Sequence, residues 1–168
     1  ARGEEGVMWV RGGARALCYW RQLDASFEAF RGSWYASGDL LRQDEEGFYY
    51  YCGRQDDMIK VAGKWVSPKE VEDQLMTHEA VVECAVVGRR DEAGLLKAYA
   101  FVIPREFDPL HDPPHDATRE AQLLERLRAH LSERLDRYKL PKLITLCATF
   151  ERTHLGKIDR GALKRRST

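Results

Sequence analysis

The chain has 168 residues, of which 43% are hydrophobic and 32% are charged, a composition typical of a globular domain and not of a disordered one. Its 27 lysine and arginine residues balance its 27 aspartate and glutamate residues, which gives no general case for binding nucleic acid or an anionic membrane. No apolar run reaches the roughly 20 residues that span a bilayer. We therefore expect neither nucleic acid nor a membrane as a partner.

The first 52 residues are predicted to form a few strands that belong to a different domain. The segments VMWVRGG and ALCYW are typical of short strands, and DLLRQDEEGFYYY is typical of a hairpin that turns at DEEG. The chain begins without methionine, on a turn followed by a strand, so we expect it to be cut from a longer protein. We assign residues 1–52 to that other domain and residues 53–168 to one compact domain.

The stretch GRQDDMIKVAGKWVSPKEVE, residues 53–72, mixes many charges with two glycines and then runs into a helix start. Ser67 is predicted to cap this helix, with a proline at the first helical position and Glu70 three residues after the cap. Val71 and Leu75 lie four residues apart, which places them on one face. The pattern predicts a capped helix with its apolar side in the core.

The remainder of the chain is predicted to hold two strands, a long helix and a last strand. AVVECAVVGRRD is typical of a strand with a turn at Gly88, and LKAYAFVIP of a second strand that ends at Pro104. An amphipathic helix follows, with leucines four apart at positions 123, 127, 131 and 135. KLPKLITLCATF is the last strand, and RGALKRR a short helix or a tail. Because strands and helices do not alternate strictly, we predict an α+β fold.

Neither the histidines nor the cysteines indicate a metal site. His111 and His115 lie in a proline-rich loop, which is poorly preorganised for binding a metal. The four cysteines, at positions 18, 52, 84 and 147, form no C-x-x-C pair, which argues against zinc. Cys84 stands in the apolar run VVECAVVG, where we expect a core residue. Free thiols are expected in a reducing compartment, and we predict a cytoplasmic location.

Three motifs in order resemble the C-terminal part of the adenylate-forming (AMP-binding) enzymes: YASGD at 35–39, the stretch at 53–72, and RTHLGKIDR at 152–160. YYYCGRQDDMIKVAGKWVSPKEVE is most similar to the benzoate and hydroxybenzoate CoA ligases of that superfamily. The resemblance implies a small C-terminal lid domain of short antiparallel sheets with packed helices, preceded by the last strands of a large N-terminal domain.

The resemblance also implies a reaction in two halves. A carboxylate attacks the α-phosphate of ATP, which gives an acyl-adenylate and pyrophosphate, and the thiol of coenzyme A then displaces AMP. The small domain rotates between these halves and presents opposite faces to the active site. ATP and coenzyme A are thus implied, with Mg²⁺ bound beside ATP mainly through the other domain.

Three residues match nucleotide-binding and catalytic positions of the family, and a fourth matches its hinge. Asp39 matches the aspartate that accepts hydrogen bonds from both ribose hydroxyls, and a turn residue is the alternative. Arg54 matches the arginine near the ribose and phosphates, and Asp56 matches the hinge. Lys157 matches the lysine that bridges the substrate carboxylate and the α-phosphate, where its charge opposes the developing negative charge. A solvated lysine in a basic tail is the alternative for Lys157.

The second half-reaction is implied to use the loop that holds Lys60, Gly63 and Trp65. Gly63 matches the glycine that lies against the pantetheine arm, because a residue without Cβ lets the backbone approach closely. Trp65 is expected either to wall the pantetheine tunnel or to lie in the core. Two positions depart from the family pattern: Ser37 stands where threonine is usual, and Leu155 where a small polar residue is usual.

The predicted function is the C-terminal part of an ATP-dependent, AMP-forming acyl- or aryl-CoA ligase of the benzoate type, inactive without its N-terminal domain. The Ser/Thr/Gly-rich phosphate loop, the adenine pocket and the acyl pocket of the family are absent from this sequence. Two alternatives remain: an adenylation domain that loads a carrier protein, and a non-catalytic interaction module that keeps the fold. The presence of Asp39, Gly63 and Lys157 argues against the interaction module.

Overall fold

The structure is a computed structural model that describes residues 3–105 and 117–166. The chain divides into two compact units, 1–56 and 57–168. The first unit contains four strands and one short helix: β1 (Glu5–Arg11), α1 (Leu23–Ala29), β2 (Phe30–Arg31), β3 (Trp34–Gln43) and β4 (Tyr49–Arg54). The strands form one antiparallel sheet in which β3 pairs with each of the others.

The predicted hairpin at 39–51 is confirmed as the pair β3–β4, which runs from Asp39 opposite Arg54 to Gln43 opposite Tyr49. The side chain of Asp44 accepts the backbone N–H of Phe48 at 2.9 Å and closes the turn. This aspartate is part of the DEEG signal, which illustrates how a local side-chain bond to the backbone selects a turn.

The strand predicted at ALCYW, residues 16–20, is wrong, and helix α1 was not predicted. The N–H of Tyr19 is bonded to Oγ of Ser26 at 2.9 Å, so it is not available to a neighbouring strand. Ser26 also donates to the carbonyl of Gln22 at 2.6 Å. Hydrogen bonds between a side chain and the backbone of a short segment therefore replace the hydrogen bonds between strands that the apolar pattern predicted.

Among its described residues, the second unit contains two small sheets and three α-helices: β5 (Ile59–Val61), β6 (Lys64–Val66), α2 (Pro68–Met76), β7 (Val81–Arg90), β8 (Leu96–Pro104), α3 (Ala117–Ser132), β9 (Leu143–Leu146) and α4 (Arg160–Arg165). Strands β5 and β6 form a hairpin, and the other sheet has the order β7–β8–β9. The predicted α+β fold is confirmed. One pairing differs from the expected antiparallel sheets: β9 runs parallel to β8. Helix α3 lies between these two strands in the chain and returns it to the end of the sheet at which β8 begins, so β9 runs in the same direction as β8.

The three-stranded sheet is covered on both faces, as the alternation of β7 shows. Cys84 and Val86 belong to one core, together with apolar residues of β5, β6 and α2 and the leucines of α3. Ala85 and Val87 belong to a second core with Phe150 and with Leu163 of α4. Successive residues of a strand point to opposite faces, so each face receives its own apolar layer. Cys84 is buried, which confirms it as a core residue, and burial raises its pKa to about 12.

The capped helix is confirmed, since Oγ of Ser67 accepts the backbone N–H of Glu70 at 3.3 Å. Val71 and Leu75 are fully buried on its inner face. The leucine stripe is also buried, although helix α3 ends at Ser132 and the last leucine, Leu135, lies beyond it. The RGALKRR segment forms a helix, as one of its two predicted alternatives.

The turn predicted at Gly88 is wrong, because β7 continues through this residue to Arg90. The chain reverses afterwards, where Oδ1 of Asp91 accepts the N–H of Leu95 at 2.9 Å. A Cβ added to Gly88 would lie 3.2 Å from Cγ1 of Ile59. The glycine therefore serves close packing between β7 and the β5–β6 hairpin.

The next features are metal-binding side chains, cysteines and helices that could cross a membrane. His111 and His115 lie outside the described residues. Over residues 3–105 and 117–166, the structure holds no cluster of His, Cys, Asp or Glu side chains able to bind a metal ion. None of the four cysteines, all of which lie in the described residues, forms a disulfide. No helix within the described ranges is long and apolar enough to cross a bilayer.

Candidate functional site

In the first unit, Arg54 lies between two carboxylates. Its Nη1 is 3.4 Å from Oδ1 of Asp39, and its Nη2 is 3.4 Å from Oδ2 of Asp56. Asp39 and Arg54 are directly opposite each other on β3 and β4, so the hairpin register brings the two predicted nucleotide-binding residues together. Asp56, the predicted hinge residue, comes from the turn that follows β4.

The residues before Asp39 explain the YASGD motif in physical terms. Gly38 has φ of +78°, and an added Cβ would lie 2.9 Å from Nη2 of Arg54. A larger residue would therefore be strained and would displace the arginine. Oγ of Ser37 accepts the N–H of Asp39 at 3.1 Å and donates to the carbonyl of Met8. These bonds need only a hydroxyl, so serine in place of threonine preserves them.

In the second unit, the β5–β6 hairpin presents Lys60, Gly63 and Trp65. Lys60 lies opposite Trp65, and its Nζ is 5.5 Å from the centroid of the indole ring, within cation–π range. Trp65 is 58% exposed, so the alternative of a core tryptophan is wrong. The hairpin directs a charged and aromatic face outward while its apolar residues enter the core: Ile59, Val61 and Val66.

The turn of this hairpin has two residues, Ala62 and Gly63, with φ of +48° and +84°. Positive φ at both central residues is typical of the type I′ turn, which matches the twist of the flanking strands. No atom lies within 4 Å of the place where a Cβ of Gly63 would stand. The turn therefore leaves open space beside the glycine, in which a ligand chain could approach the backbone.

Lys157 follows a tight turn near the end of the second unit. The N–H of Gly156 donates to the carbonyl of Thr153 at 2.9 Å, and the N–H of Thr153 donates to the carbonyl of Lys157 at 2.7 Å. Gly156 has φ of +77°. Lys157 is exposed, and its amine forms no ion pair with any residue that the structure describes. Leu155, the unusual residue of the motif, is 72% exposed.

Two ion pairs around this turn were not predicted from the sequence. Arg152 binds the carboxylate of Glu83, with Nη2 at 2.9 and 2.7 Å from its two oxygens. Arg160 donates to Oε2 of Glu72 at 2.9 Å, and the N–H of Val86 donates to Oε1 of Glu72 at 2.7 Å. Glu72 and Arg160 are the last residues of two of the motifs, which is the one signal in the sequence that could have suggested the pair.

The Glu72 carboxylate is buried, with 8% of the residue exposed. Burial alone would lower the pKa of Arg160, but the hydrogen bond and the charge of Glu72 outweigh it and raise the pKa. The arginine therefore stays ionised at neutral pH. The pair joins α2, β7 and the start of α4, the helix that begins three residues after Lys157.

The known proteins most similar to this chain include aromatic acid CoA ligases. The benzoate–CoA ligase of Thauera aromatica is 40% identical over 162 residues, which are 96% of this chain and 29% of that protein. The 4-hydroxybenzoate–CoA/benzoate–CoA ligase of Rhodopseudomonas palustris is 36% identical over 98% of this chain and 29% of that protein. The chain thus spans less than a third of the length of these relatives.

Solved structures similar to this chain also include aromatic acid CoA ligases. The benzoate CoA ligase of Burkholderia xenovorans superposes with a TM-score of 0.80 at 38% identity, over 98% of this chain and 31% of that one. An anthranilate CoA ligase in complex with anthranoyl-AMP superposes with a TM-score of 0.80 at 39% identity, over 97% of this chain and 30% of that one.

A family model described as the AMP-binding enzyme C-terminal domain matches residues 70–157. The match runs from the first turn of the capped helix α2 to Lys157 and covers just over half of the chain. It agrees with the resemblance found in the three motifs. The chain belongs to the AMP-binding enzyme C-terminal domain family.

Proposed function

We propose that this chain is the C-terminal part of an ATP-dependent, AMP-forming CoA ligase that activates a benzoate-type carboxylic acid. Residues 53–168 are its mobile lid domain, and residues 1–52 are the last strands of a large N-terminal domain. The observation that carries the proposal is the exposed amine of Lys157, which has no ion-pair partner among the described residues and stands on an anchored turn. The similarity to benzoate–CoA ligases along 96% of the chain supports the choice of substrate.

In the first half-reaction, an oxygen of the carboxylate attacks the α-phosphorus of ATP and pyrophosphate leaves. Negative charge builds on the transferring group, and the ammonium of Lys157 offsets it. Asp39 accepts hydrogen bonds from the ribose hydroxyls, because an ionised carboxylate offers two acceptor oxygens and no donor. Arg54, held between Asp39 and Asp56, contributes a planar donor group near the ribose and phosphates.

In the second half-reaction, the sulfur of coenzyme A attacks the carbonyl carbon of the acyl-adenylate and AMP leaves. The β5–β6 hairpin lies along the pantetheine arm, with the open space at Gly63 next to the arm. Lys60 and Trp65 form the exposed wall beside it. The lid rotates about Asp56 between the halves, so that Lys157 serves one half and the hairpin the other.

The remaining substrates and surroundings follow from the same proposal. Mg²⁺ accompanies ATP and is held mainly outside this chain, which offers no cluster of metal-binding side chains among its described residues. The cytoplasm supplies ATP, coenzyme A and the reducing conditions that suit four cysteines without disulfides. A small carboxylic acid and the protein's own N-terminal domain are the proposed partners, with no nucleic acid or membrane.

The full-length protein that carries this chain tests the proposal directly. Incubation with benzoate and ATP should release pyrophosphate, and addition of coenzyme A should yield benzoyl-CoA and AMP. Pyrophosphate release without any benzoyl-CoA would favour the loading of a carrier protein. Absence of both products across a panel of aromatic acids would favour the non-catalytic interaction module.

A further inference from the structure

The tip of the turn that carries Lys157 has almost no packing of its own, although Ile158, the next residue, packs against the second core. Leu155 is 72% exposed, and no atom lies within 4 Å of the place where a Cβ of Gly156 would stand. Its strand-like pairing is a single bridge between Arg152 and Ile158. Short two-stranded segments of this kind are marginally stable in water. The backbone on the N-terminal side of Lys157 therefore depends on contacts from outside the turn.

Arg152 supplies that restraint through both ends of its guanidinium. Nη1 donates to the carbonyl of Gly156 at 3.2 Å, which is the peptide group directly before Lys157. Nη2 donates to both carboxylate oxygens of Glu83 at 2.9 and 2.7 Å. Glu83 belongs to β7, which pairs with β8 along its length. One side chain thus connects the turn to the sheet by charge-assisted hydrogen bonds.

We infer that Arg152, held by Glu83, is a positioning residue for Lys157 in adenylate formation, an inference that rests on the proposed function of the lysine. Arginine suits the task because its planar group can bind a carbonyl and a carboxylate at once. The side chain of Arg152 contacts the backbone of the turn, and this role does not require it to contact a reacting group.

The expected effect follows from the geometry of positioned charges. Without Arg152 the turn keeps its backbone hydrogen bonds and the link of Arg160 to Val86, but it loses the connection of its N-terminal side to Glu83, so the amine of Lys157 samples a wider volume. A displacement of about 1 Å in a catalytic group commonly costs about 100-fold in rate. We expect Arg152→Gln to slow adenylate formation by about 10- to 100-fold. The reaction of preformed acyl-adenylate with coenzyme A should stay within about twofold, since it does not use Lys157.

The experiment measures the two half-reactions separately in the full-length protein, with benzoate and ATP for the first and synthetic benzoyl-adenylate and coenzyme A for the second. Arg126→Gln is the matched control, because Arg126 is 46% exposed and pairs with Glu79, while Arg152 is 47% exposed and pairs with Glu83. The control should leave both half-reactions unchanged. Arg152→Lys, which keeps a charge but not the fork, should lose less than Arg152→Gln.

A double variant gives a readout that a purely structural role would not move. Glu83→Gln should slow adenylate formation in the same direction, and adding it to Arg152→Gln should cost nothing further, because both changes remove one contact. Equal losses in both half-reactions would overturn the inference, as would wild-type adenylation by Arg152→Gln beside a slow Lys157→Ala. Wild-type adenylation by Lys157→Ala would instead overturn the proposed role of the lysine itself.

Discussion

Arg160 and Glu72, 88 residues apart in the chain, form an ion pair in which Nη2 of the arginine donates to Oε2 of the carboxylate at 2.9 Å. The pair connects the start of the last helix, α4, to the first turns of α2. Arg160 also donates to the carbonyl of Val86 at 2.7 Å. The Lys157 turn is therefore fixed on its C-terminal side by Arg160, as Arg152 fixes its N-terminal side.

Removal of Glu72 should weaken the fold measurably. Glu72→Ala leaves Arg160 without its charge partner and the N–H of Val86 without its acceptor, so we expect a loss of about 3 kcal/mol in the free energy of unfolding. Glu79→Ala, which removes an exposed partner of Arg126, should cost less than about 0.5 kcal/mol. Urea unfolding of the two variants decides this, and equal midpoints would contradict a structural role for the pair.

Lys157→Ala in the full-length protein should slow adenylate formation severely and spare thioester formation from preformed adenylate. A charge aimed at a developing phosphoryl charge is commonly worth about 3 to 4 kcal/mol, or two to three orders of magnitude in rate. The fold should survive, because the side chain is exposed and the turn bonds involve only the backbone. Pyrophosphate release at the wild-type rate would reject the assignment.

Gly63→Leu should suppress thioester formation while adenylate formation stays nearly intact. The new side chain would occupy the open space beside the hairpin turn, where we place the pantetheine arm. Gly94→Leu is the matched control, since Gly94 also has positive φ (+75°) and open space around it. Both variants carry the same backbone strain. Similar losses in the two variants, or losses shared by both half-reactions, would show that strain and not the arm is responsible.

Stability should decrease as the pH falls through the titration of His78. Burial, and then the charges of His130 and Arg126, lower the pKa of His78 below its usual 6.5. The neutral ring accepts the N–H of Ala80 on Nδ1 at 3.1 Å. Because the unfolded chain takes up the proton first, this contribution is complete above the unfolded pKa and is lost as the pH falls through the lower, folded pKa.

His78→Asn, which keeps an acceptor but does not titrate, tests that pH dependence. The urea midpoint of the wild-type chain should fall more steeply between pH 7.5 and pH 5 than that of the variant. Groups that do not contact His78 contribute the same slope to both proteins, so the difference reports His78 together with its interactions with His130 and Arg126. Parallel curves would show that His78 does not titrate differently in the folded state.

The segment of residues 53–168, expressed by itself, should fold and yet form no adenylate. It supplies two amphipathic helices and three or more strands around one core, which is enough for independent folding. Cooperative urea unfolding checks the first part of the prediction. Pyrophosphate release from ATP and benzoate by the isolated segment, above a control without protein, would contradict the second part.

The sequence by itself determined the features that depend on neighbouring residues. The cap at Ser67, the β3–β4 hairpin and the buried leucine stripe each arise from contacts within a few positions, or from a periodicity that one face of an element must satisfy. The resemblance of the three motifs to the adenylate-forming enzymes likewise indicated Asp39, Arg54, Gly63 and Lys157. The structure places Asp39 opposite Arg54, and the roles of all four residues stay predictions.

The tertiary structure decided what depends on residues far apart in the chain. Gly88 is typical of a turn when read locally, yet it lies within a strand because Ile59 packs against it. The parallel pairing of β9 follows from the crossover through α3, and the exposure of Trp65 from the register of its hairpin. Arg152 finds Glu83 across 69 positions and Arg160 finds Glu72 across 88. Such pairs form only after the core brings their elements together, because the free energy that holds them comes from packing that no local pattern contains.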